Sequence, residues 1–436
     1  MQSESRNENK DHDFDVIIVG GGMVGATLAL ALAPLNLSIA IVEAFPQGAS
    51  QPSFDDRSIA LSLGSKQLLE QFGVWRSMAS SVAPIEHIHV SDRGHLGLCR
   101  MHAEDVGESA LGFVVENRVM GQQLHEQLKQ YETITQFVPA EITDYQCRSQ
   151  AAQLTIHHLD QSKRLRSKLI VAADGTHSPM AQRSHIGFQS FEYGQYAAIA
   201  NIATDKPPNG WAYERFTEHG PIALLPLVRD RYSVVWTVAP EQVSELRDSD
   251  DSEFLKRLQQ AFGYRVGRMM KVGQRQFYPL TQRRLLRGFD LRLVFVGNAL
   301  HTGHPVAGQG FNLGIRDVAA LVEMIAMTRY LNEDYGSQTC LEFYWESRQT
   351  DIDETLAMTE TLVRSFSNTN PALALGRNLA LLALDKCSIL RNGLAEVAMG
   401  KRHDLSGLAR GIPLSELHRQ PKRDGLAARL LKQCED

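Results

Sequence analysis

The sequence has few cysteines, and they are dispersed over its 436 residues. Cys99, Cys147, Cys340, Cys387 and Cys434 form no C-x-x-C pair and no spacing that is typical of a metal site. An odd, scattered set is typical of proteins from a reducing compartment. We therefore predict no disulfide and no bound metal, zinc included.

Long hydrophobic runs are also absent. No run approaches the roughly 18 unbroken apolar residues that a transmembrane helix needs, and the first one covers only residues 14–19. Residues 1–13 are polar and charged and lack the apolar segment of a signal peptide, which predicts a disordered leader. These features predict a cytoplasmic protein that is soluble or associated peripherally with a membrane.

An excess of basic residues is missing as well. The formal net charge is -5, which argues against a general nucleic-acid binder. The composition is otherwise ordinary for a globular protein, with 43% hydrophobic and 22% charged residues. A chain of 436 residues can bury a large core and divide into two or more domains.

A glycine-rich turn follows the first apolar run. Residues 14–19 (FDVIIV) favour a central parallel strand that is buried on both faces. Gly20, Gly22 and Gly25 follow directly at G-x-G-x-x-G spacing. In such a turn one glycine forms the tight bend, one lets the backbone approach a pyrophosphate, and one packs the next helix on the strand.

The context of this turn strengthens its interpretation. Residues 23–33 are small and apolar and predict a helix, whose N-terminus offers free N–H groups and a partial positive charge. Residues 38–42 predict the next strand, which ends at Glu43, an acid placed to accept from a ribose hydroxyl. The segment therefore predicts a dinucleotide site, but it does not distinguish a nicotinamide from a flavin.

A second glycine-rich segment lies nearly three hundred residues downstream. Residues 294–317 (VFVGNALHTGHPVAGQGFNLGIRD) predict a buried strand, a turn and a loop with five glycines that leads into a helix. Two such turns at opposite ends of one chain suggest an extended cofactor that is held at both ends. That arrangement favours a flavin dinucleotide over a nicotinamide bound to a single βαβ unit.

Two further predicted strands end in polar residues. Residues 169–173 lead into Asp174 and Gly175, and residues 293–296 lead into Gly297 and Asn298. Open α/β sheets bind ligands at the carboxyl ends of their strands. Asp174 on its own could equally cap the following helix, but the upstream glycine turn favours the ligand role.

The order of these motifs resembles that of the class A flavin monooxygenases, the aromatic hydroxylases of the para-hydroxybenzoate hydroxylase fold. The resemblance covers about residues 14–321 and rests on Gly20-x-Gly22-x-x-Gly25 with Glu43, Ala173-Asp174-Gly175-x-x-Ser178, Gly297-Asn298, and His304-Pro305-x-x-Gly308-Gln309-Gly310-x-Asn312. It implies FAD as cofactor, NAD(P)H as co-substrate, and these cofactor-binding residues: Gly20, Gly22, Met23, Val24, Gly25, Glu43, Arg57, Asn117, Asp174, Gly175, Gly297, Asn298, Pro305, Gly308, Gln309, Gly310, Phe311 and Asn312.

One departure narrows the resemblance. Most of the superfamily has aspartate where this chain has Asn298, and the Gly-Asn variant is similar to the ubiquinone-pathway hydroxylases that act on 2-polyprenyl-6-methoxyphenol. Residues 54–61 and 89–94, and residues 214–217 with 219–221, point the same way. Closely related quinone-ring hydroxylases differ in the ring carbon that they oxidise.

The resemblance implies hydroxylation of a polyprenylated phenol by O2 through a flavin hydroperoxide. Its partners would include a protein complex of ubiquinone biosynthesis and a membrane surface. The alternatives are another quinone-ring hydroxylase of the same pathway, a flavin-dependent reductase or halogenase, or a non-catalytic flavoprotein scaffold. A complete flavin-ring loop argues against a scaffold, and no lysine is clearly placed for a halogenase.

Several polar residues keep two interpretations. Arg57 follows two aspartates, so it fits either a surface salt bridge or the flavin contact that the resemblance implies, and Asn117 and Arg118 fit either a flavin contact or an exposed position. His301 and His304 have no third metal ligand nearby. We assign no catalytic base, and the candidates beside the flavin are His304, Pro305 and Gln309, with His219 equally ambiguous.

The predicted fold class is α/β, with a discontinuous Rossmann-like FAD-binding domain, a mixed β-sheet substrate domain and a helical C-terminal region. The alternating segments 85–91, 197–203, 222–227 and 232–238 predict a separate sheet that covers the flavin. The predicted boundaries are 14–84, 112–187 and 284–330 for the FAD-binding domain, 85–111 and 188–283 for the substrate domain, and 331–436 for the helical region.

The C-terminal region gives the least specific functional prediction. Residues 372–384 are rich in Leu and Ala, which predicts a packed helix or a face for a polyprenyl tail or a partner. Residues 401–436 hold eight Lys and Arg against five acids, which fits a solvated end or a weak contact with an anionic membrane.

Overall fold

The computed structural model describes residues 13–46, 57–366, 371–401, 406–419, 425, 426 and 429. The predicted leader before Asp13, Phe54, Asp55, Asp56, Cys434 and most of the basic tail lie outside the described residues.

The strands in chain order are β1 Phe14–Val19, β2 Ile39–Val42, β3 Ser58–Ser62, β4 Ala83–Ile85, β5 His87–Asp92, β6 Leu98–His102, β7 Gly112–Glu116, β8 Ile134–Phe137, β9 Ala140–Cys147, β10 Ala152–His158, β11 Gln161–Ala172, β12 Phe188–Thr204, β13 Trp211–Thr217, β14 Gly220–Leu227, β15 Arg231–Val238, β16 Met269–Val272, β17 Gln276–Leu285, β18 Phe289–Asp290, β19 Leu293–Phe295 and β20 His301–Thr302. The helices are α1 Met23–Leu32, α2 Leu63–Gln71, α3 Trp75–Met78, α4 Asn117–Leu128, α5 Pro179–Arg183, α6 Pro240–Asp248, α7 Asp251–Phe262, α8 Gln309–Tyr330, α9 Gln338–Phe366, α10 Pro371–Lys386 and α11 Ser388–Ala398.

The first sheet has a parallel core in the order β8-β2-β1-β11-β19. Its central strand β1 is apolar at consecutive positions, and Val16, Ile17 and Ile18 have no exposed surface. A strand that is covered on both faces needs apolar side chains pointing both ways, which explains this run. The predicted α/β fold with a Rossmann-like parallel sheet is confirmed.

The second sheet is mixed and runs in the order β20-β17-β12-β15-β14-β13-β5-β6, with β16 beside β12. Parts of all four alternating segments lie in it, within β5, β12, β14 and β15. Helices α6 and α7 pack on one face through an apolar cluster that includes Tyr232, Trp236 and Phe254. The opposite face is turned towards the small sheet β3-β7-β4, where Arg231 of β15 forms an ion pair with Glu116 of β7 at 2.9 Å. The domain boundaries themselves stay a prediction.

The predicted strand 85–91 is divided between two sheets. Ile85 ends β4 in the small sheet, and β5 begins at His87 in the second sheet. The backbone N–H groups of Glu86 and His87 both donate to the carbonyl of Gly210, so the chain changes sheets at this point. Side-chain alternation continues through such a bend, and the sequence pattern therefore did not reveal it.

The downstream glycine loop is shorter than predicted. Helix α8 begins at Gln309, so Gly310 and Gly314 lie within the helix. Gly308 precedes it with φ +61°, a left-handed conformation that favours glycine. A β-carbon on Gly314 would lie 3.1 Å from the Cα of Gly297, so this glycine allows the helix to approach the preceding turn closely.

Helices dominate the chain after α8, as predicted. In α9 the side chains of Leu356, Thr359, Val363 and Phe366 are buried, at the helical spacing seen in the sequence. Among the described ranges, no helix has the length and apolar character needed to cross a bilayer. Within the same ranges no cluster of three potential metal ligands occurs, and the four described cysteines are free thiols.

Candidate active site

Two glycines of the upstream turn are required by the fold itself. Gly20 has φ +99°, and a β-carbon there would lie 2.4 Å from the carbonyl oxygen of Ala173. A β-carbon on Gly25 would lie 2.0 Å from the carbonyl oxygen of Gly20. Gly22 differs, since its β-carbon would meet no described atom within 4 Å. Packing among the described residues therefore does not explain Gly22, whereas a pyrophosphate approaching the backbone would.

Glu43 lies at the end of β2, beside this turn. Its Oε2 accepts from the N–H of Gly21 at 2.6 Å, and its Oε1 accepts from the N–H of Phe45 at 2.9 Å. These bonds orient the carboxylate and leave lone pairs on both oxygens. The geometry is compatible with the predicted contact to a ribose hydroxyl.

Asp174 bonds the helix that follows it, and one of its carboxylate oxygens has no partner among the described residues. Its Oδ2 accepts from the N–H of Met180 in α5 at 3.1 Å, while Ser178 caps that helix by accepting from the N–H of Ala181 at 2.9 Å. Its Oδ1 is buried and has no partner among the described residues. Burial raises the pKa of Asp174 above its ordinary value. The free oxygen leaves this carboxyl available to a ligand as well as to the helix.

The two glycine-rich turns meet at the carboxyl end of the first sheet. Gly297 has φ +59°, and a β-carbon there would lie 3.2 Å from the side chain of Val24, next to Met23 at the start of α1. Asn298 follows β19 with its side chain exposed. Asp174 and Gly175 follow the end of β11 by two and three residues, and β11 lies between β1 and β19. Tertiary structure thus brings together residues that are separated by nearly the whole FAD-binding segment.

A buried ionic network supports the Gly297 turn, and sequence reasoning missed it. Asp317 accepts from the N–H of Gly297 at 3.0 Å, from Nε of Arg348 at 2.8 Å, and bonds Nε2 of His301 at 2.7 Å. Burial alone would raise the pKa of Asp317, but His301 and Arg348 hold it below its ordinary value. His301 is therefore committed to positioning this turn. In the sequence, the only sign of this network was the charged pair Arg316-Asp317 at the end of the downstream glycine-rich segment.

The network continues through a second carboxylate. Arg348 also donates to Asp351 at 2.7 Å, and Arg316 donates to the same Oδ2 at 2.8 Å and to Thr355 at 3.1 Å. The pKa of Asp351 is strongly lowered because these arginines outweigh its burial. The network ties α8 to α9 and thereby supports the loop that precedes α8.

The predicted flavin-ring loop, residues 304–312, is attached to the small sheet. Asn312 accepts from the N–H of Ser62 at 2.8 Å and donates to the carbonyls of Ala60 and Gly308 at 2.9 and 2.7 Å. Its amide therefore joins the start of α8 to β3. Gln309 is also buried, Phe311 is half-buried and Gly310 is exposed. Pro305 precedes a short 3-10 segment, Val306–Gly308.

Arg57 and Asn117 lie side by side at the edge of the small sheet. The N–H of Asn117 donates to the carbonyl of Arg57 at 2.8 Å, and the guanidinium of Arg57 lies 5.6 Å from the ring centroid of Tyr278. Asn117 is the first residue of α4. Its Oδ1 is buried without a partner among the described residues. The aspartates that Arg57 follows lie outside those residues.

His304 is neutral at physiological pH. Burial lowers its pKa to about 4, and its Nδ1 accepts from the N–H of Val306 at 3.1 Å. The proton of a neutral ring is then on Nε2, which is buried without a described partner. His304 can donate a hydrogen bond, but it is a poor proton acceptor near neutral pH. His219, by contrast, is exposed beside Glu218.

The donors and acceptors at this edge fit a long polar cofactor. Helices α1 and α8 both begin without a side-chain cap and without an acidic residue in the first turn, so their free N–H groups can receive a pyrophosphate or a flavin carbonyl. Buried polar atoms rarely lack partners in a folded chain. Buried side-chain atoms that have no hydrogen-bond partner among the described residues include Ser58 Oγ, Asn117 Oδ1, Asp174 Oδ1 and His304 Nε2.

Comparison with known proteins identifies the family. The family model described as FAD binding domain matches residues 13–357. The chain belongs to this family. The ubiquinone hydroxylase UbiL of Rhodospirillum rubrum is 34% identical over 408 residues, covering 93% of this chain and 94% of UbiL. The 3-demethoxyubiquinol 3-hydroxylase of Escherichia coli is 31% identical over 393 residues, covering 88% of this chain and 98% of that enzyme.

Solved structures share the fold at lower identity. The crystal structure of p-nitrophenol 4-monooxygenase PnpA from Pseudomonas putida has a TM-score of 0.71 at 17% identity and covers 89% of this chain and 98% of that one. The prediction of an FAD-dependent monooxygenase of the FAD binding domain family is confirmed, with FAD as its cofactor and NAD(P)H as the co-substrate typical of the family. The individual cofactor-contacting residues stay predictions.

Proposed function

We propose that this protein hydroxylates the ring of a polyprenylated phenol in ubiquinone biosynthesis, with 2-polyprenyl-6-methoxyphenol as the substrate. The observation that carries the proposal is its likeness, over 93% of the chain, to a relative named as a ubiquinone hydroxylase. The Escherichia coli relative is also named for a hydroxylation of a ubiquinol precursor.

The chain's own residues supply binding, orientation and exclusion of water. FAD, when bound, supplies the redox chemistry and the activation of dioxygen. Gly22, Glu43 and Asp174 would hold its pyrophosphate and ribose side, and the N-terminus of α8 would stabilise negative charge on the flavin ring. Val90, Ala223 and Val235 share the face of the second sheet that points away from α6 and α7, and their apolar side chains suit an aromatic substrate.

The function is tested with purified, FAD-loaded protein. We expect a short-chain 2-prenyl-6-methoxyphenol to stimulate NAD(P)H oxidation and to gain one oxygen atom from labelled oxygen gas, detected by mass spectrometry. A saturated product without label would indicate a reductase, and incorporation of halide would indicate a halogenase. No response of NAD(P)H oxidation to any phenol would contradict the proposal and favour a scaffold.

We also propose that helices α10 and α11 contact a lipid surface, where a polyprenyl substrate resides. Ala374 and Leu381 of α10 are buried, whereas Leu375 and Leu379 are 64% and 58% exposed. In α11 Ile389 and Leu390 are 82% and 53% exposed. Large apolar side chains clustered on a protein surface are typical of membrane or partner contacts.

Replacing Leu379 and Ile389 together with serine should weaken vesicle binding. The loss of two exposed apolar side chains removes about 3 kcal/mol or more of insertion free energy, so co-sedimentation with anionic phospholipid vesicles should fall markedly. Leu159→Ser is the control, because Leu159 is 68% exposed in the turn between β10 and β11. Equal co-sedimentation of the double variant and the native protein would refute the contact.

A further inference from the structure

Glu214 lies in the middle of β13 and points away from the helices of its sheet. It pairs with Ala223 on β14 and with Val90 on β5, so these three side chains share one face. Side chains alternate along a strand, and the preceding Tyr213 points the other way, with its ring 5.8 Å from that of Phe262 in α7. Glu214 therefore faces the opposite side.

That side packs against the flavin-ring loop. Phe216, two residues further along β13 on the same face, belongs to an apolar cluster with Val306, and Val90 packs on the same cluster. Val306 directly follows Pro305, a residue of the loop that the family resemblance places at the flavin ring. The Glu214 side chain thus projects from the sheet towards the side where the cofactor loop lies.

The carboxyl of Glu214 is unpartnered in an apolar setting. Its Oε1 is buried and has no hydrogen-bond partner among the described residues, although the residue as a whole is half-buried. Burial, the only cause acting on this group, raises the pKa of Glu214 to about 8. An unpaired buried carboxyl costs stability, so its presence on this face calls for a ligand.

Two charged groups on this face of the sheet, Asp92 and Arg231, are already paired. Asp92 is bound by Arg377 at 2.8 Å, and Arg231 by Glu116 at 2.9 Å. His304, on the loop opposite, is neutral because burial lowers its pKa to about 4. None of these groups gives Glu214 a counter-charge.

We propose that Glu214 accepts the hydroxyl proton of the phenol substrate, an assignment that rests on the proposed function. The phenol O–H bond breaks, the proton moves to Oε1 of the Glu214 carboxylate, and the electron pair stays on the phenolate oxygen. The phenolate donates this charge into the ring and makes the ring carbon more nucleophilic towards activated oxygen. After hydroxylation the carboxyl returns its proton as the product leaves.

The shifted acidity of Glu214 suits this transfer. Phenols have a pKa of about 10, whereas an ordinary glutamate lies near 4 and would be too weak a base. A pKa of about 8 brings the two groups closer, which favours proton transfer. Because the carboxylate form is the base, its fraction increases as pH rises through this value, and kcat/KM should rise with it.

The test compares Glu214→Gln with the native protein, both loaded with FAD, over a range of pH. Glutamine keeps the shape and the polarity of the side chain but does not accept a proton. The substrates are a short-chain 2-prenyl-6-methoxyphenol and a ring-fluorinated analogue with a more acidic hydroxyl. Glu218→Gln is the control, because Glu218 is exposed on the turn between β13 and β14. A near-ultraviolet difference spectrum reports whether the bound substrate is a phenol or a phenolate.

We expect Glu214→Gln to lower kcat/KM about 100-fold or more, to remove the rise with pH, and to bind the substrate as the neutral phenol. The decrease in kcat/KM of Glu214→Gln should be smaller with the fluorinated analogue, and kcat/KM of Glu218→Gln should match that of the native protein. The proposal would be overturned if kcat/KM of Glu214→Gln kept the pH profile of the native protein. It would also be overturned if kcat/KM fell equally for both substrates while the bound phenol was ionised as in the native protein. If the native protein ionises the bound phenol through Glu214 but hydroxylates neither substrate, the proposed function is wrong, while the role of Glu214 as proton acceptor is supported.

Discussion

Replacing Arg348 with methionine should lower the free energy of unfolding by about 3–5 kcal/mol, since it removes a charged partner from two buried carboxylates. Arg348 is 2% exposed and forms ion pairs with Asp317 at 2.8 Å and with Asp351 at 2.7 Å. Methionine fills similar space but supplies no hydrogen bonds and no charge. Denaturant unfolding at a fixed concentration of FAD measures the effect.

Arg364→Met is the matched control, because Arg364 lies in the same helix and pairs with Glu360 while its side chain is 62% exposed. An exposed pair contributes little, so this variant should lose less than about 1 kcal/mol. Since Asp317 also binds the N–H of Gly297, the Arg348 variant should bind FAD more weakly as well. Equal stability of the two variants would mean that the buried network does not support the fold.

Replacing Gly22 with valine should give a folded, colourless protein. The backbone at Gly22 is extended, with φ −65° and ψ −176°, and a β-carbon there meets no described atom within 4 Å. Valine adopts that conformation without strain, so the apoprotein should stay intact. Its side chain would occupy the space of the pyrophosphate, and we expect FAD affinity to fall about 100-fold or more, equivalent to about 3 kcal/mol.

The measurement combines the visible spectrum of the purified protein with titration of FAD into apoprotein. Gly393→Val in α11 is the control, because its β-carbon also has free space and the helix lies outside the predicted cofactor site. A Gly22→Val protein that carries a full complement of FAD would show that the pyrophosphate lies elsewhere. Unfolding of the variant apoprotein, measured by circular dichroism, would contradict our account of the space at Gly22.

The glycine-rich turns were predictable because the chain geometry that forms them is local. Gly20, Gly22 and Gly25 follow an apolar strand at a fixed spacing, and Glu43 ends the next strand. Chain geometry over such short distances determines the turn, the helix start and the position of the acid. The same holds for Asp174 after β11 and for Gly297 after β19.

The sequence pattern was less informative where one segment meets another. The alternation in residues 85–91 does not show that the chain changes sheets after Ile85. The glycines at 310 and 314 suggested a loop, although the second of them allows α8 to pack closely on Gly297. Asn312 was predicted beside the flavin ring, and its side chain joins α8 to β3 through two backbone hydrogen bonds, to Ser62 and Ala60, while a third reaches Gly308.

By itself, the sequence determined the fold class, the family and the cofactor, because strand runs, glycine spacing and strand-end acids depend on neighbours within a few turns of chain. The tertiary structure alone decided that Asp317 reaches Arg348 in the next helix and that Glu214 lies on the face of β13 whose Phe216 packs with Val306. These arrangements depend on strand register and helix packing between distant segments. The burial that shifts the pKa of Glu214 comes from those contacts, and no local motif encodes it.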